Sequence, residues 1–431
     1  MKQINRVRQN RSSKDFACSR IDFSQPIHFS FNGKEYTGVL GDTIASALLA
    51  NGIDVVGRSF KYGRPRGIVT AGSDEPNAIL QLGNCEATQV PNVRATQQLI
   101  FEGLECHSTS GWPSTRFHLM GIFGALFARF LPPGFYYKTF MAPAKWWKYY
   151  EKWIRKGAGL GRSPNRADED IYEVINQHAD VLIVGAGAAG LSAALGASRM
   201  GARVILADEQ NEFGGSLLSS NIKINDRCTR DWIDAVVAEL INYESQGQLL
   251  LLKHATVNGY HDHNFLTIHE RCTDHLKDKA AQNEVRQRYH RVRAKQVILA
   301  TGALERPLVF ANNDLPGCML ASAISTYINR YQVIPGNTLV VMTANDSGYI
   351  AAIDWHNAGR RVAAVVDTRK SHASELSKQV KALGITIIYQ SAVIEARRKR
   401  LNSRVCSAVI MSMDSTGDAV KGVKKLFCVT L

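Results

Sequence analysis

One short run fixes most of what this chain can fold into. Val181-Leu182-Ile183-Val184 is apolar and leads directly into Gly185-Ala186-Gly187-Ala188-Ala189-Gly190, followed by the Ala-rich stretch LSAALGASRMGA and a second apolar run, VILA. Strand, complete G-x-G-x-x-G turn, helix and strand make a βαβ unit, and continuous apolar strands belong in a parallel sheet buried on both faces. Gly185 permits the tight turn, Gly187 lets a pyrophosphate approach the backbone, and Gly190 allows close packing of helix on strand. Ala186 lies inside the turn. Phosphates would sit by Ala188 and Ala189 at the helix N-terminus, where N–H groups and the macrodipole favour negative charge.

The second strand ends at Asp208, 208 − 185 = 23 residues past the first glycine, the place of the acid that accepts a ribose hydroxyl. Glu209 is adjacent and shares the candidacy. An acid there, with no Arg, favours NAD over NADP, with FAD as the alternative occupant. Gly214-Gly215-Ser216 brings further backbone toward the same cofactor, as does Thr301-Gly302 after the apolar run QVILA. A second strand–turn–helix–strand covers 337–368, but its turn, Thr343 to Gly348, has lost the glycine fingerprint. It reads as a structural domain whose second strand ends on Asp367. We identify no catalytic residue.

The 431 residues suffice for two or three domains, and 45% hydrophobic with 21% charged residues exclude disordered and collagen-like chains. Before the βαβ unit, HFSFNGKEYTGVL predicts a hairpin turning at Asn32-Gly33. IASALLANG predicts a short helix with Thr43 as N-cap and Gly52 as its stop. Residues 106–178 are rich in aromatics, including Trp112, Phe135, Tyr136, Tyr137, Phe140, Trp146, Trp147, Tyr149, Tyr150 and Trp153. They read as a connector packed on a neighbouring domain or subunit.

Lys and Arg exceed Asp and Glu by 52 − 38 = 14 charges. The basic residues cluster in the N-terminal tail, in Lys277–Arg293 and in Arg397–Arg400, with no nucleic-acid-binding module among them, so they read as a solvated surface. The eight Cys form no C-x-x-C, which argues against zinc ribbons and redox pairs and fits a reduced, cytoplasmic protein. Met120 to Leu131 is too short to span a membrane. His254, His261, His263 and His269, with Asp262, lack the ligand set of a metal site and fit a hairpin turning at His261 to Asn264.

Several stretches resemble the alpha subunit of heterotetrameric sarcosine oxidase: GRSFKYGRPRGIVTAGSDEPNAIL, GFYYKTFMAPAKWW, VLIVGAGAAGLSAA, FGGSL and LATGALERPLVFANNDLPGCMLASA. The resemblance implies an α/β fold: a two-dinucleotide-binding-domain, Rossmann-like region preceded by a small α+β ferredoxin-like domain. Distant relatives carry cluster cysteines in the loop after the first helix. Arg58 to Gly72 holds none, so no cluster is expected. The implied organisation is a basic tail (1–20), the ferredoxin-like domain (21–105), the connector (106–178), a first dinucleotide-binding domain (179–336) and a second (337–431).

The resemblance further implies NAD as a non-catalytic cofactor at Gly185, Gly187, Gly190, Asp208, Gly215 and Thr301-Gly302. It places FMN where alpha and beta subunits meet, FAD and the amine-oxidising site in the beta subunit, and gamma and delta subunits in the complex. Two departures stand out: Gly63 replaces the usual His, and Ser108–Ser114 reads STSGWPS. The chain ends at KKLFCVTL, before the segment that completes the first dinucleotide domain and without the folate-binding domain, so an N-terminal portion of such a subunit is expected. Two alternatives are a subunit of a related FAD-dependent opine or cyanide-forming dehydrogenase and a non-catalytic dinucleotide-binding assembly subunit.

Overall fold

The structure, a computed structural model, describes residues 4–7, 19, 21–60, 62–83, 85–87, 89–118, 143–276, 284–398, 403–414 and 416–428. The chain forms two compact units: Met1–Arg8 with Ile21–Ala167 and Glu305–Leu431, and Gln9–Arg20 with Asp168–Leu304. It is mixed α/β throughout, as the sequence implies.

In the first unit, β1 (Asp22–Phe31) and β2 (Lys34–Leu40) pair antiparallel through Asn32-Gly33. Both turn residues have positive φ, 52° and 73°, which matches the twist of a two-residue hairpin. Helix α1 (Ile44–Ala50) is capped by Thr43, whose hydroxyl accepts from the Ser46 N–H while Ser46 returns the bond. All its residues are buried, which accounts for the absence of a polar face in IASALLA. Strands β3 (Ile79–Leu82), β4 (Val90–Arg94) and β5 (Leu104–Ser108) complete a sheet of order β2-β1-β5-β3-β4. Phe29, Ile44, Leu48, Leu80 and Cys106 lie in its core.

The expected basic tail needs correction where it is described. Arg6 donates to both oxygens of the fully buried Asp42 carboxylate, at 3.2 and 2.5 Å, and to the Tyr331 carbonyl at 2.8 Å. Val7 beside it is buried. A buried carboxylate needs a counter-charge, and the tail supplies it.

Much of the aromatic connector, including Phe135, Tyr136, Tyr137 and Phe140, lies outside the described residues. Helix α2 (Trp147–Ala158) ends on Gly159 in the left-handed region, φ 75°. Trp112, Trp146, Trp147 and Tyr149 are exposed on this chain.

The second unit contains β6 (Ile171–Val184), α3 (Ala188–Arg199), β7 (Val204–Ala207), α4 (Thr229–Ser245), β8 (Leu249–Leu252), β9 (Ala255–His261), β10 (Phe265–Arg271) and β11 (Val285–Leu299). The order is β8-β7-β6-β11-β10-β9. The first four strands run parallel, and β10 and β9 extend the sheet antiparallel. Leu182, Ile205 and Ile268 pack on one face, while Ile183, Leu191, Leu206 and Leu240 pack on the other under α3 and α4. The β9–β10 hairpin turns at Asp262–Asn264, as the sequence predicts.

Strand β6 starts at Ile171, inside the stretch expected as connector, because its first half pairs with β11 from Val285 onward. That pairing also corrects the reading of Lys277–Arg293 as solvated at Arg286 and Arg288, whereas Arg291 and Arg293 are exposed. Arg286 is 7% exposed and donates to Asp170 at 2.6 Å and Asp274 at 2.9 Å, while Arg288 donates to Glu173 at 2.9 Å.

The chain then returns to the first unit through α5 (Ala321–Asn329). Strands β12 (Thr338–Thr343), β13 (Arg361–Asp367) and β14 (Ile387–Ile388) form a parallel sheet with α6 (Ser347–Asn357) and α7 (Glu375–Ala382). Strands β15 (Ser391–Arg397), β16 (Ser407–Met413) and β17 (Ala419–Cys428) form an antiparallel one. Among the described residues no helix is long and apolar enough to cross a membrane.

Candidate functional site

The glycine turn joins β6 to α3. Gly185 has φ 95°, and a Cβ there would meet the Ala300 carbonyl oxygen at 2.5 Å, so only glycine fits between the two parallel strand ends. At Gly190 a Cβ would overlap the Gly185 carbonyl, the close helix–strand approach that the motif anticipates. At Gly187 a Cβ would meet nothing within 4 Å. That glycine faces open space, which a phosphate group can enter. The α3 ladder begins with the Leu191 N–H donating to the Gly187 carbonyl at 2.9 Å, so the N–H groups of Ala188, Ala189 and Gly190 precede it at the positive helix end.

The other predicted residues gather around this turn to different degrees. Gly214 donates its N–H to the Ala186 carbonyl at 2.8 Å, and a Cβ on Gly215 would reach the Gly187 Cα at 2.9 Å. The Gly214-Gly215 segment is thus laid directly against the turn, with Ser216 exposed beside it. Ala300 donates to the Val184 carbonyl at 2.8 Å, which brings the exposed Thr301 and Gly302 out at the end of the neighbouring strand.

Asp208 and Glu209 turn out to have different places. Asp208 is 8% exposed, and its carboxylate accepts from the Ala186 N–H at 2.6 Å and the Gln210 N–H at 2.8 Å. It therefore braces the glycine turn from the next strand. Glu209, one residue further out, is half-buried. The 23-residue spacing could not tell that Asp208 turns inward to the glycine loop while Glu209 lies further out.

Sequence reasoning missed the basic surroundings of this acidic end. The His254 N–H donates to the Gln210 carbonyl at 3.0 Å and the Ala255 N–H to the Asp208 carbonyl at 2.8 Å. The His254 ring stacks on His275 at 4.8 Å. Burial, helped by His275, Arg271 and Lys253, pushes its pKa down to about 4. Lys253 lies 5.1 Å from the centre of the Phe213 ring, next to Gly214. The histidine-rich hairpin uses its other rings locally: His269 bonds Gln287 at 3.1 Å and His261 packs on Phe265. Among the described residues no group of three or more His, Cys, Asp or Glu is arranged to hold a metal ion.

The second strand–turn–helix spends its acids internally. Asp367, fully buried at the end of β13, accepts from the Tyr349 hydroxyl at 2.6 Å and from Arg369 at 2.7 and 3.0 Å. Asp346, ahead of α6, pairs with Arg369 and His372, each at 2.9 Å.

A glycine turn set between parallel strands in this way has known counterparts. Residues 179–424 match the pyridine nucleotide-disulphide oxidoreductase family. The chain belongs to that family. It is also homologous to sarcosine oxidase alpha subunits, with 47% identity over 81% of the chain to that of Rhizobium meliloti (strain 1021) and 37% over 92% to that of Corynebacterium sp. (strain P-1). The chain spans 35% and 36% of the length of these relatives. The same fold is found in the crystal structure of L-proline dehydrogenase from P. horikoshii, with a TM-score of 0.55 at 17% identity, over 99% of this chain and 61% of that one.

Residues 24–111 match the 2Fe-2S iron-sulfur cluster binding domain family. The donor set does not fit such a cluster, which takes four thiolates. The cysteines in that range are Cys85, which is exposed, and Cys106, which is buried with its thiol donating to the Ser30 carbonyl.

Proposed function

We propose that the chain is the dinucleotide-holding part of a sarcosine oxidase alpha subunit. The observation that carries the reading is the open space over Gly187, bounded by the first N–H groups of α3 and by Gly215. NAD would lie with its pyrophosphate over Gly187 and the α3 N-terminus, beside Gly214-Gly215-Ser216 and Thr301-Gly302. In this reading Asp208 holds the turn, and Glu209 accepts from the ribose. An acid at the strand end disfavours a 2′-phosphate.

The NAD is a resident that takes no part in amine oxidation, and this chain contributes no group to that chemistry. The complete complex, with beta, gamma and delta subunits, FMN between alpha and beta and FAD in beta, would convert sarcosine and O₂ to glycine, H₂O₂ and a one-carbon unit. Homology to alpha subunits in two organisms supports the assignment.

The test is to denature the purified chain and identify the dinucleotide released. NAD in about equimolar amount is expected. Free FAD with no NAD overturns the NAD assignment, and no dinucleotide at all, even after incubation with NAD, overturns the binding role.

A further inference from the structure

The mismatch between an iron–sulfur domain family and a domain without the thiolates points to what replaces the cluster. The loop after the Gly57–Arg58 and Pro65–Arg66 hairpin runs from Gly67 to Ala78 and closes around one side chain. Glu75 is 1% exposed. One of its oxygens accepts from the Val69 and Thr70 N–H groups at 2.8 and 2.7 Å, and the other from Asn77 and Ala78 at 2.9 and 3.1 Å. Four backbone donors converge on a single buried carboxylate that comes from within their own loop. Burial raises the Glu75 pKa above the ordinary carboxylate value, against the pull of those four donors.

The positions match a pattern. Plant-type [2Fe–2S] domains place three cysteines as C-x4-C-x2-C, with a fourth further on. Thr70, Glu75 and Ala78 stand at that spacing. A fourth position lies against them: Ala95 donates its N–H to the Ala78 carbonyl at 2.9 Å, and the Thr96 hydroxyl donates to the Gly72 carbonyl at 2.6 Å. Thr70, Glu75, Ala78 and Ala95 are all buried. The Thr70 hydroxyl oxygen is buried without a hydrogen-bond partner, a polar atom at a position where the spacing calls for a metal-ligating sulfur.

We infer that Glu75 is the built-in substitute for an iron–sulfur cluster, and that Thr70, Glu75, Ala78 and Ala95 mark a vestigial four-ligand site. The physical logic is charge for charge. A thiolate-ligated cluster is an anion whose sulfurs are stabilised by loop hydrogen bonds. A loop folded around such N–H donors loses its centre when the cysteines go, and stranded donors are costly in a buried position. A carboxylate placed at the second ligand position answers all four at once, so the loop closes with no iron.

Two sets of variants of the full 431-residue chain test this. Glu75→Ala is expected to lower the urea midpoint and open the Gly67–Ala78 loop to proteolysis. Glu75→Gln, with one oxygen acceptor lost, is expected to fall between it and the unaltered chain. The second set is the fourfold variant Thr70→Cys, Glu75→Cys, Ala78→Cys and Ala95→Cys, treated anaerobically with ferrous iron and sulfide. It is expected to bind about two iron and two sulfide per chain, with thiolate-to-iron absorption bands and a recovered urea midpoint. The threefold variant that keeps Glu75 is expected to bind none. An unchanged midpoint and protease pattern in Glu75→Ala overturns the inference, as does a folded fourfold variant that takes up no iron. Should the fourfold variant fail to fold, the Glu75 pair decides.

Discussion

Arg64 meets Asp314 in a two-point ion pair, Nε to Oδ2 at 2.8 Å and Nη2 to Oδ1 at 2.6 Å. Arg66 adds a bond to the same carboxylate at 2.6 Å, and Arg64 reaches Asn312 at 2.9 Å. A Cβ on Gly67 would meet the Pro316 Cα at 2.7 Å. The RPRG and NNDLPG stretches, some 250 residues apart, are thus two halves of one contact inside the first unit. Charged hydrogen bonds contribute about 1.5–3 kcal/mol each when protected and less when partly exposed. Asp314→Asn is therefore expected to cost about 1–2 kcal/mol in urea unfolding. Arg64→Lys should lose a smaller part, because a point charge cannot bridge both oxygens. Equal midpoints for Asp314→Asn and the unaltered chain would sink this account.

Asp208 and Glu209 are expected to separate in their effects. Asp208→Asn places an amide NH₂ where both neighbours are N–H donors, so it should weaken the fold and dinucleotide retention together. A loss of about 1.5–3 kcal/mol is the scale for such a charged bond. Glu209→Gln should leave the urea midpoint unchanged while raising the Kd for NAD by about tenfold, the scale of one weakened polar contact. The reverse pattern, with Glu209 altering stability and Asp208 only binding, would exchange the two roles.

Much of this arrangement was legible in the residues, for local reasons. Asn32-Gly33, Thr43 and Gly185 to Gly190 each impose a backbone geometry that few other residues can adopt, so the turn, the cap and the glycine loop follow from short windows. What could not be read depends on distant partners. Arg286 looks like surface charge until Asp170 and Asp274 are seen around it, and Arg6 looks like a loose tail until Asp42 is. The spacing of Thr70, Glu75 and Ala78 gains meaning only once four N–H groups are seen to converge on the Glu75 carboxylate.

His254 makes stability depend on pH. Burial, with His275, Arg271 and Lys253 nearby, holds its folded pKa at about 4, while Asp274 pulls the other way. In the unfolded chain the imidazole titrates near 6.5. Between those values the unfolded chain binds more protons, so stability is full above about pH 7 and is lost as pH falls from about 6.5 toward 4. A loss of roughly 2–3 kcal/mol is the expected scale. Its φ of 52° is one that Asn tolerates, so His254→Asn is the control and should flatten urea midpoints measured from pH 7 to 4.5. An identical slope in the two chains would assign the effect to other groups.

The second strand–turn–helix predicts a different outcome from the first, because its acid is already committed. Asp367 is fully buried, and although burial opposes ionisation, Arg369 and the Tyr349 hydroxyl keep its pKa below the usual carboxylate value. The stability it contributes is present above the unfolded value near pH 4 and lost as pH falls below it. Asp367→Ala removes one hydrogen-bond partner of the Tyr349 hydroxyl, which keeps Tyr389, and leaves Arg369 with Asp346 as its remaining carboxylate. Breaking a buried pair of this kind costs about 3 kcal/mol or more. The dinucleotide content of the folded variant should nonetheless stay at about one per chain, since the carboxylate faces its own unit. A variant that unfolds at the same urea concentration but loses a bound nucleotide would instead make this second turn a ligand site.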